Sequence, residues 1–235
     1  MSDSCCSRLQ SEFRLRNLGL TVFPENLAWY CQFGEFSWSS SRLAYVIWRA
    51  ILAAIMLAGL GITLSEDITT GIAAWYFIYL TNWTLLIENF YLSLAFAIAL
   101  DIYLNPPHSA SSQPLSTKVA WLLRAISQPG ALVVTIGYWS AISQGRLTLS
   151  TFWAHAINSL VVLLDIITSC YEIRLAHYVY LLIYGIVYIL WSIIHFQANI
   201  QNGMMPTHRY IYAVLDWSEV NAGKVRPISC DRSDA

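Results

Sequence analysis

The stretch "YLTNWTLLIENF", Tyr79 to Phe90, sets two threonines, two asparagines and a glutamate inside an apolar run, Gly71 to Leu100, long enough to cross a bilayer. At roughly 100° per residue, Thr81, Thr84 and Glu88 share one helix face. Asn82 and Asn89 form a second line about a quarter turn away. A later run, "WAHAINSLVVLLDIIT", carries His155, Asn158, Ser159 and Asp165 along one stripe. If the two helices run in the same direction, Thr81 and His155 stand at one level. Glu88 lies about 10 Å deeper than Thr81, and Asp165 about 15 Å deeper than His155, at roughly 1.5 Å per residue. A hydroxyl and an imidazole therefore stand above two acids, and both polar lines must face protein or trapped water.

Ionisable groups at membrane depth are costly and mark a functional site by default. Interhelical hydrogen bonding is the competing explanation, and each such contact contributes only ~0.6 kcal/mol. It accounts readily for Asn82, Asn89, Asn158 and Thr84, and for Thr81 with His155 both readings stand. Asp165 and Glu88 are candidates for a buried ion pair with Arg124, of which Asp165 is closer in level. His195 in "WSIIHF" lies near the outer level of His155, but no HxxxH or HExxH spacing supports a zinc site, and it reads as a helix-end histidine at the interface. No metal and no cofactor is expected. The "NWT" at Asn82 matches a glycosylation sequon that a bilayer would keep from the transferase.

The elements that hold these residues follow from composition. Of 235 residues 57% are hydrophobic and only 11% charged, with a mean hydropathy of +0.51; a soluble domain carries about a quarter charged residues. A net charge of −1 and the lack of a basic stripe exclude nucleic acid as partner. Runs of roughly 20 apolar residues span a bilayer, and five occur: Leu43 to Leu64, Gly71 to Leu100, Val119 to Ile142, Thr151 to Cys170 and Leu175 to Phe196. A sixth stretch, "RYIYAVLDW" from Arg209 to Trp217, is too short to span unaided and suits a re-entrant, interfacial or broken-helix segment. The expected fold is an all-α polytopic transmembrane bundle of five full spans plus this short element. Residues 1–42 and 218–235 form polar tails around one membrane domain, 43–217. No signal-peptide layout precedes Leu43.

Arg8, Arg14, Arg16 and Arg42 precede the first span and the loop "SEDITTG" has no Lys or Arg, so the N-terminus is expected in the cytosol. By the same rule a sixth element would return the basic tail inside. Five cysteines, Cys5, Cys6, Cys31, Cys170 and Cys230, show no metal-ligand spacing. Cys5 and Cys6 read either as palmitoylation sites or as reduced thiols of the tail. Pro129 in "SQPG" is expected to kink the third span. A transporter reading lacks support, because no paired inverted repeat is visible.

"WYFIYLTNWTLL", "HAINSLVVLLDI" and above all "YIYAVLDW" resemble the rolling stone family of multi-pass membrane proteins, over about Leu43 to Trp217. Ala213 departs from the family's usual "YIYPxLDW". The resemblance implies an integral protein of the plasma membrane or endoplasmic reticulum, acting in cell-surface organisation or myoblast fusion through a protein partner. Thr81 in "YLTNW" and His155 in "WAHAIN" also look like the threonine and histidine of the androgen-induced membrane hydrolases. That shorter likeness implies hydrolysis of fatty-acid esters drawn from membrane lipid. The chemistry is coherent: a threonine hydroxyl needs an adjacent base, which a neutral imidazole supplies, and the amide of Asn82 or Asn158 would stabilise the oxyanion.

Overall fold

The computed structural model describes residues 15–21, 29–106, 112–142, 147–171, 173–203 and 208–218. Among these, five helices are long and apolar enough to cross a membrane: α1 (Arg42–Thr69), α2 (Leu80–Leu104), α3 (Leu115–Ile142), α4 (Leu149–Thr168) and α5 (Leu175–Gln197). No β-strand forms among the described residues, whose one strand-like pairing is an isolated bridge from Phe36 to Ser169. The chain is an all-α polytopic bundle. Cys5, Cys6 and Cys230 lie outside the described residues.

Helix α2 begins at Leu80, not at Gly71 where its apolar run starts. The backbone accounts for the difference. Gly71 takes φ +77, a conformation that glycine adopts without the strain of a side chain. Ala73–Ile78 then forms a tight 3-10 helix, and Tyr79 is extended before the α-helix opens. Leu80 and Thr81 are thereby set at an end of the bundle.

Packing places α2 between α1 and α3, while α4 closes the ring against both and α5 lies against α3. Leu52 and Met56 of α1, Leu85 and Leu92 of α2, Trp121 of α3 and Val161 of α4 meet in one buried cluster, joined by Phe33 from the short helix Trp29–Gly34. Within lipid, small residues that permit close approach help to hold helices together. Gly59 is such a point: a Cβ there would come within 2.9 Å of the Trp153 ring, so α1 and α4 touch nearly backbone to ring. Helix α5 is peripheral, with only 17% of its most apolar window buried.

Two helices widen at the end where α2 begins. Tyr138–Ile142 at the close of α3 and Phe152–Ile157 early in α4 are both π-helical. Such wide turns are rare and frequent at functional sites. Pro129 lies inside α3, whose α-helical part is continuous from Leu115 to Gly137. Arg209–Trp217 forms no crossing helix, and its only helical piece is the 3-10 turn Ala213–Leu215. It folds back over the start of α2 instead of returning through the bilayer.

Candidate functional site

A cavity of about 310 Å³ opens at that end. Thr81 and Asn82 come to its wall from the first turn of α2, and Tyr138 and Ile142 from the π turn of α3. His155 comes from the π turn of α4, Thr63 and Asp67 from α1, and Ile211, Tyr212 and Val214 from the folded-back tail. Thr81 and His155, on different helices, thus line one space.

His155 is buried, stacked face to face on Tyr138 with centroids 3.9 Å apart and planes 12° apart. Its Nδ1 has no hydrogen-bond partner. The Thr81 side chain interacts instead with the Tyr212 hydroxyl, as does Tyr188. Burial raises the Tyr212 pKa above the ordinary tyrosine value, and the contacts with Thr81 and Tyr188 offset this only in part. Tyr212 therefore stays a neutral hydroxyl. It accepts a hydrogen bond from the Leu80 backbone N–H at 3.2 Å, satisfying one of the unpaired donors that open every helix. Asn202 fixes the tail in place: its Nδ2 donates to the Tyr210 and Ile211 carbonyls at 3.0 Å, and its Oδ1 accepts from the Tyr79 hydroxyl at 2.7 Å. "YIYAVLDW" is thereby held over the start of α2.

The two asparagines separate. Asn82 lines the cavity while its Nδ2 donates to the Tyr76 carbonyl at 2.9 Å. Asn158 is buried away from the wall, donating to Ala154 within its own helix at 3.3 Å. Thr84 also turns from the cavity, donating to the Leu80 carbonyl at 3.0 Å and meeting the Tyr184 hydroxyl of α5 at 2.9 Å. His195, in the last turn of α5, is fully buried within the protein. Among the described residues no three His, Cys, Asp or Glu side chains gather as metal ligands.

Deeper in the bundle, Asp165 is the centre of a buried network. Arg124 approaches it, Nε to Oδ2 at 3.9 Å, but its nearest cation is Arg49 of α1, with which it forms a direct ion pair. Tyr91 of α2 donates to Oδ2 at 2.6 Å and Gln128 of α3 donates to the same oxygen. One carboxylate of α4 thus ties together α1, α2 and α3. Glu88 is fully buried and meets the Ser127 side chain. Arg49, Tyr91 and Gln128 were not among the expected site residues. Arg49 carries a readable signal, a charge inside an apolar run, which its nearness to Arg42 masks as a flanking group able to snorkel.

Comparison with known proteins follows the geometry. The family model described as "Protein rolling stone" matches residues 1–229. The protein rolling stone of Drosophila melanogaster is 22% identical over 236 residues, covering 93% of this chain and 82% of that protein. No solved structure matches. The chain belongs to the rolling stone family, and it is a multi-pass membrane protein.

Proposed function

We propose that this rolling stone family member is an intramembrane hydrolase of lipid esters, with Thr81 as nucleophile and His155 as general base. The observation that carries the reading is the shared cavity: a hydroxyl and an imidazole from two helices line it together with Ile142, Ile211 and Val214, which suit an acyl chain. Its volume of about 310 Å³ falls within the usual range for small-ligand sites, about 300 to 1,000 Å³. Both wide helical turns also meet there.

In the proposed reaction the Thr81 hydroxyl rotates from Tyr212 toward His155, which takes its proton as Oγ1 attacks the ester carbonyl carbon. Unoccupied sites commonly hold such pairs too far apart and tighten on substrate. The carbonyl oxygen becomes an oxyanion facing the remaining amide N–H of Asn82 and the hydroxyl of Tyr212. Collapse breaks the ester C–O bond, His155 returns the proton to the leaving alcohol, and a threonyl ester remains. Water, deprotonated by His155, releases the carboxylic acid and restores Thr81.

A fluorophosphonate probe tests this with purified protein. Wild type should label and should hydrolyse a lipid ester. Thr81→Ala should do neither, and His155→Ala should lose about 10² to 10⁴-fold in rate, the usual worth of a general base. Wild-type protein that never labels, in a membrane where a known hydrolase does, would instead support the second reading, which rests on family membership: action at the cell surface, including cell fusion, through a protein partner.

A further inference from the structure

Ester hydrolysis releases an alcohol as well as an acid, and the lining of the Thr81 cavity differs from one set of elements to another. Where the end of α1 meets the start of α4, Thr63, Asp67, Ser150 and Thr151 contribute polar groups. The two helices are joined there by the Ser150 backbone N–H, which donates to Glu66 Oε2 at 3.1 Å. The apolar lining comes from elsewhere: Ile142 closes α3, and Ile211 and Val214 belong to the tail, which is fastened to the start of α2 and to α5. Ile142 is 44% exposed and Val214 80%, so hydrocarbon can leave the cavity past them.

The corner between α1 and α4 is rich in acceptors. An ionised carboxylate such as Asp67 only accepts, with room for about four hydrogen bonds. Thr63 is buried and donates its own proton to the Leu60 carbonyl at 2.9 Å, which leaves its oxygen as an acceptor. The backbone N–H groups that open a helix are the ordinary place for a phosphate, but three of those in α4 are already engaged. Ser150 N–H donates to Glu66, Thr151 N–H to Thr148 Oγ1 at 3.2 Å and Phe152 N–H to the Thr148 carbonyl at 3.0 Å. A ligand suited to this corner brings hydrogen-bond donors of its own.

We infer that the substrate is a monoester of a small polyol such as glycerol, its free hydroxyls donating to Asp67 and Thr63 and its single acyl chain running out past Ile142 and Val214. This rests on the hydrolase reading of Thr81 and His155. Thr81 Oγ1 bonds to the acyl carbon, the bond from that carbon to the polyol oxygen breaks, and His155 passes the threonine proton to that oxygen. Water then takes the acyl group, so one monoester and one water give one fatty acid and one polyol. A sterol or long-chain alcohol in the same place would cover Asp67 and Thr63 with hydrocarbon, and polar groups buried without hydrogen bonds are costly. The preference is for hydroxyl donors and not for a net charge. It holds whether or not Arg146 of the α3–α4 connection approaches, because a carboxylate paired with one cation keeps acceptor sites open.

The test uses the purified full chain in neutral detergent and compares monooleoylglycerol with propyl oleate, which keeps the acyl group and the three-carbon alcohol but has no free hydroxyl. Fluorophosphonate labelling is measured alongside. Closed sites that hydrogen-bond a substrate hydroxyl reject the analogue lacking it by about 10⁴ to 10⁵-fold, so at this half-open corner kcat/KM for the glycerol ester should lead by about tenfold or more. Asp67→Asn and Thr63→Val are close in shape to the native side chains, and each should lower that ratio. Comparing the ratio across variants cancels the unequal partition of the two esters into detergent. Labelling shows that a variant keeps the Thr81 site, and the wild-type ratio stands on its own should either variant fail to label. Wild-type protein that labels yet cleaves both esters equally, or cleaves neither, overturns the polyol assignment and leaves the hydrolase. An unchanged ratio in both labelled variants overturns it as well. Protein that neither labels nor cleaves either ester removes both readings.

Discussion

Asp165 is held by two guanidinium groups, and this alters what its removal does. Asp165→Ala leaves Arg49 and Arg124 buried without their carboxylate, and breaking a buried pair in this way typically costs about 3 to 5 kcal/mol. The sequence pairs Asp165 with Arg124 alone and so expects the Asp165/Arg124 double alanine variant to recover. With Arg49 as the nearer partner, that double variant still strands a charge. The Asp165/Arg49 double variant should unfold at a higher temperature than Asp165→Ala alone, and the Asp165/Arg124 double should recover less. Thermal unfolding in detergent measures both, and equal recovery would show that the two arginines share Asp165 evenly. At this scale the sequence discloses which residues are out of place in lipid, because a charge in an apolar run needs no alignment to be noticed. It does not disclose which of them meet, since Arg49 and Asp165 lie on helices entering from opposite ends and their relative level depends on offsets that only packing sets.

At the scale of elements, the five spans follow from the length of their apolar runs, whereas the two π turns have no signature in composition or period. They are the turns that aim Tyr138 and His155 at one another, so the site was legible as residues and not as geometry. The tail behaves likewise. Nine residues, seven of them apolar, are plainly too few to span, but their seat over α2 depends on Asn202, whose amide reads as ordinary loop polarity. Asn202→Ala removes bonds to Tyr79, Tyr210 and Ile211, each contributing about 0.5 to 1.5 kcal/mol net. Amide exchange in residues 208–218 should accelerate in that variant while α1 keeps its protection. Gly203→Leu should act in the same direction, because even a Cβ there would lie 2.7 Å from the Trp75 ring. If exchange in the tail is unchanged in both, the segment is not pinned from this corner.

For the whole molecule, the remaining question is which face of the membrane holds the Thr81 cavity. Arg42, Lys118 and Arg174 gather at the end opposite the cavity, whereas the connection from α1 to α2 has no Lys or Arg. Charge in short loops near span ends sets orientation, so the Arg42 end is expected in the cytosol and the cavity outside it, although Arg146 lies in the connection from α3 to α4. The tail resists the same rule: with five spans Arg209 remains on the cavity side, where a sixth crossing would have taken it inside. The described residues 208–218 make contacts that fasten them to the start of α2 and to α5, including Trp217 Nε1 donating to Ser192 Oγ at 3.3 Å, and these hold Arg209 there although the sequence beyond it also carries Lys224, Arg226 and Arg232. Two single-cysteine sites decide the matter, Thr69→Cys and Ser218→Cys, both at exposed positions. Burial raises the pKa of the native Cys31 and Cys170 thiols, which slows their background reaction with maleimide, and Cys5, Cys6 and Cys230 are replaced by serine for the test. In intact cells a membrane-impermeant maleimide should label both introduced cysteines. If both react once digitonin opens the plasma membrane alone, the bundle is inverted with its architecture intact. Labelling of Thr69→Cys but not of Ser218→Cys would mean that the tail crosses the membrane after all, and its seat over the cavity would have to be abandoned.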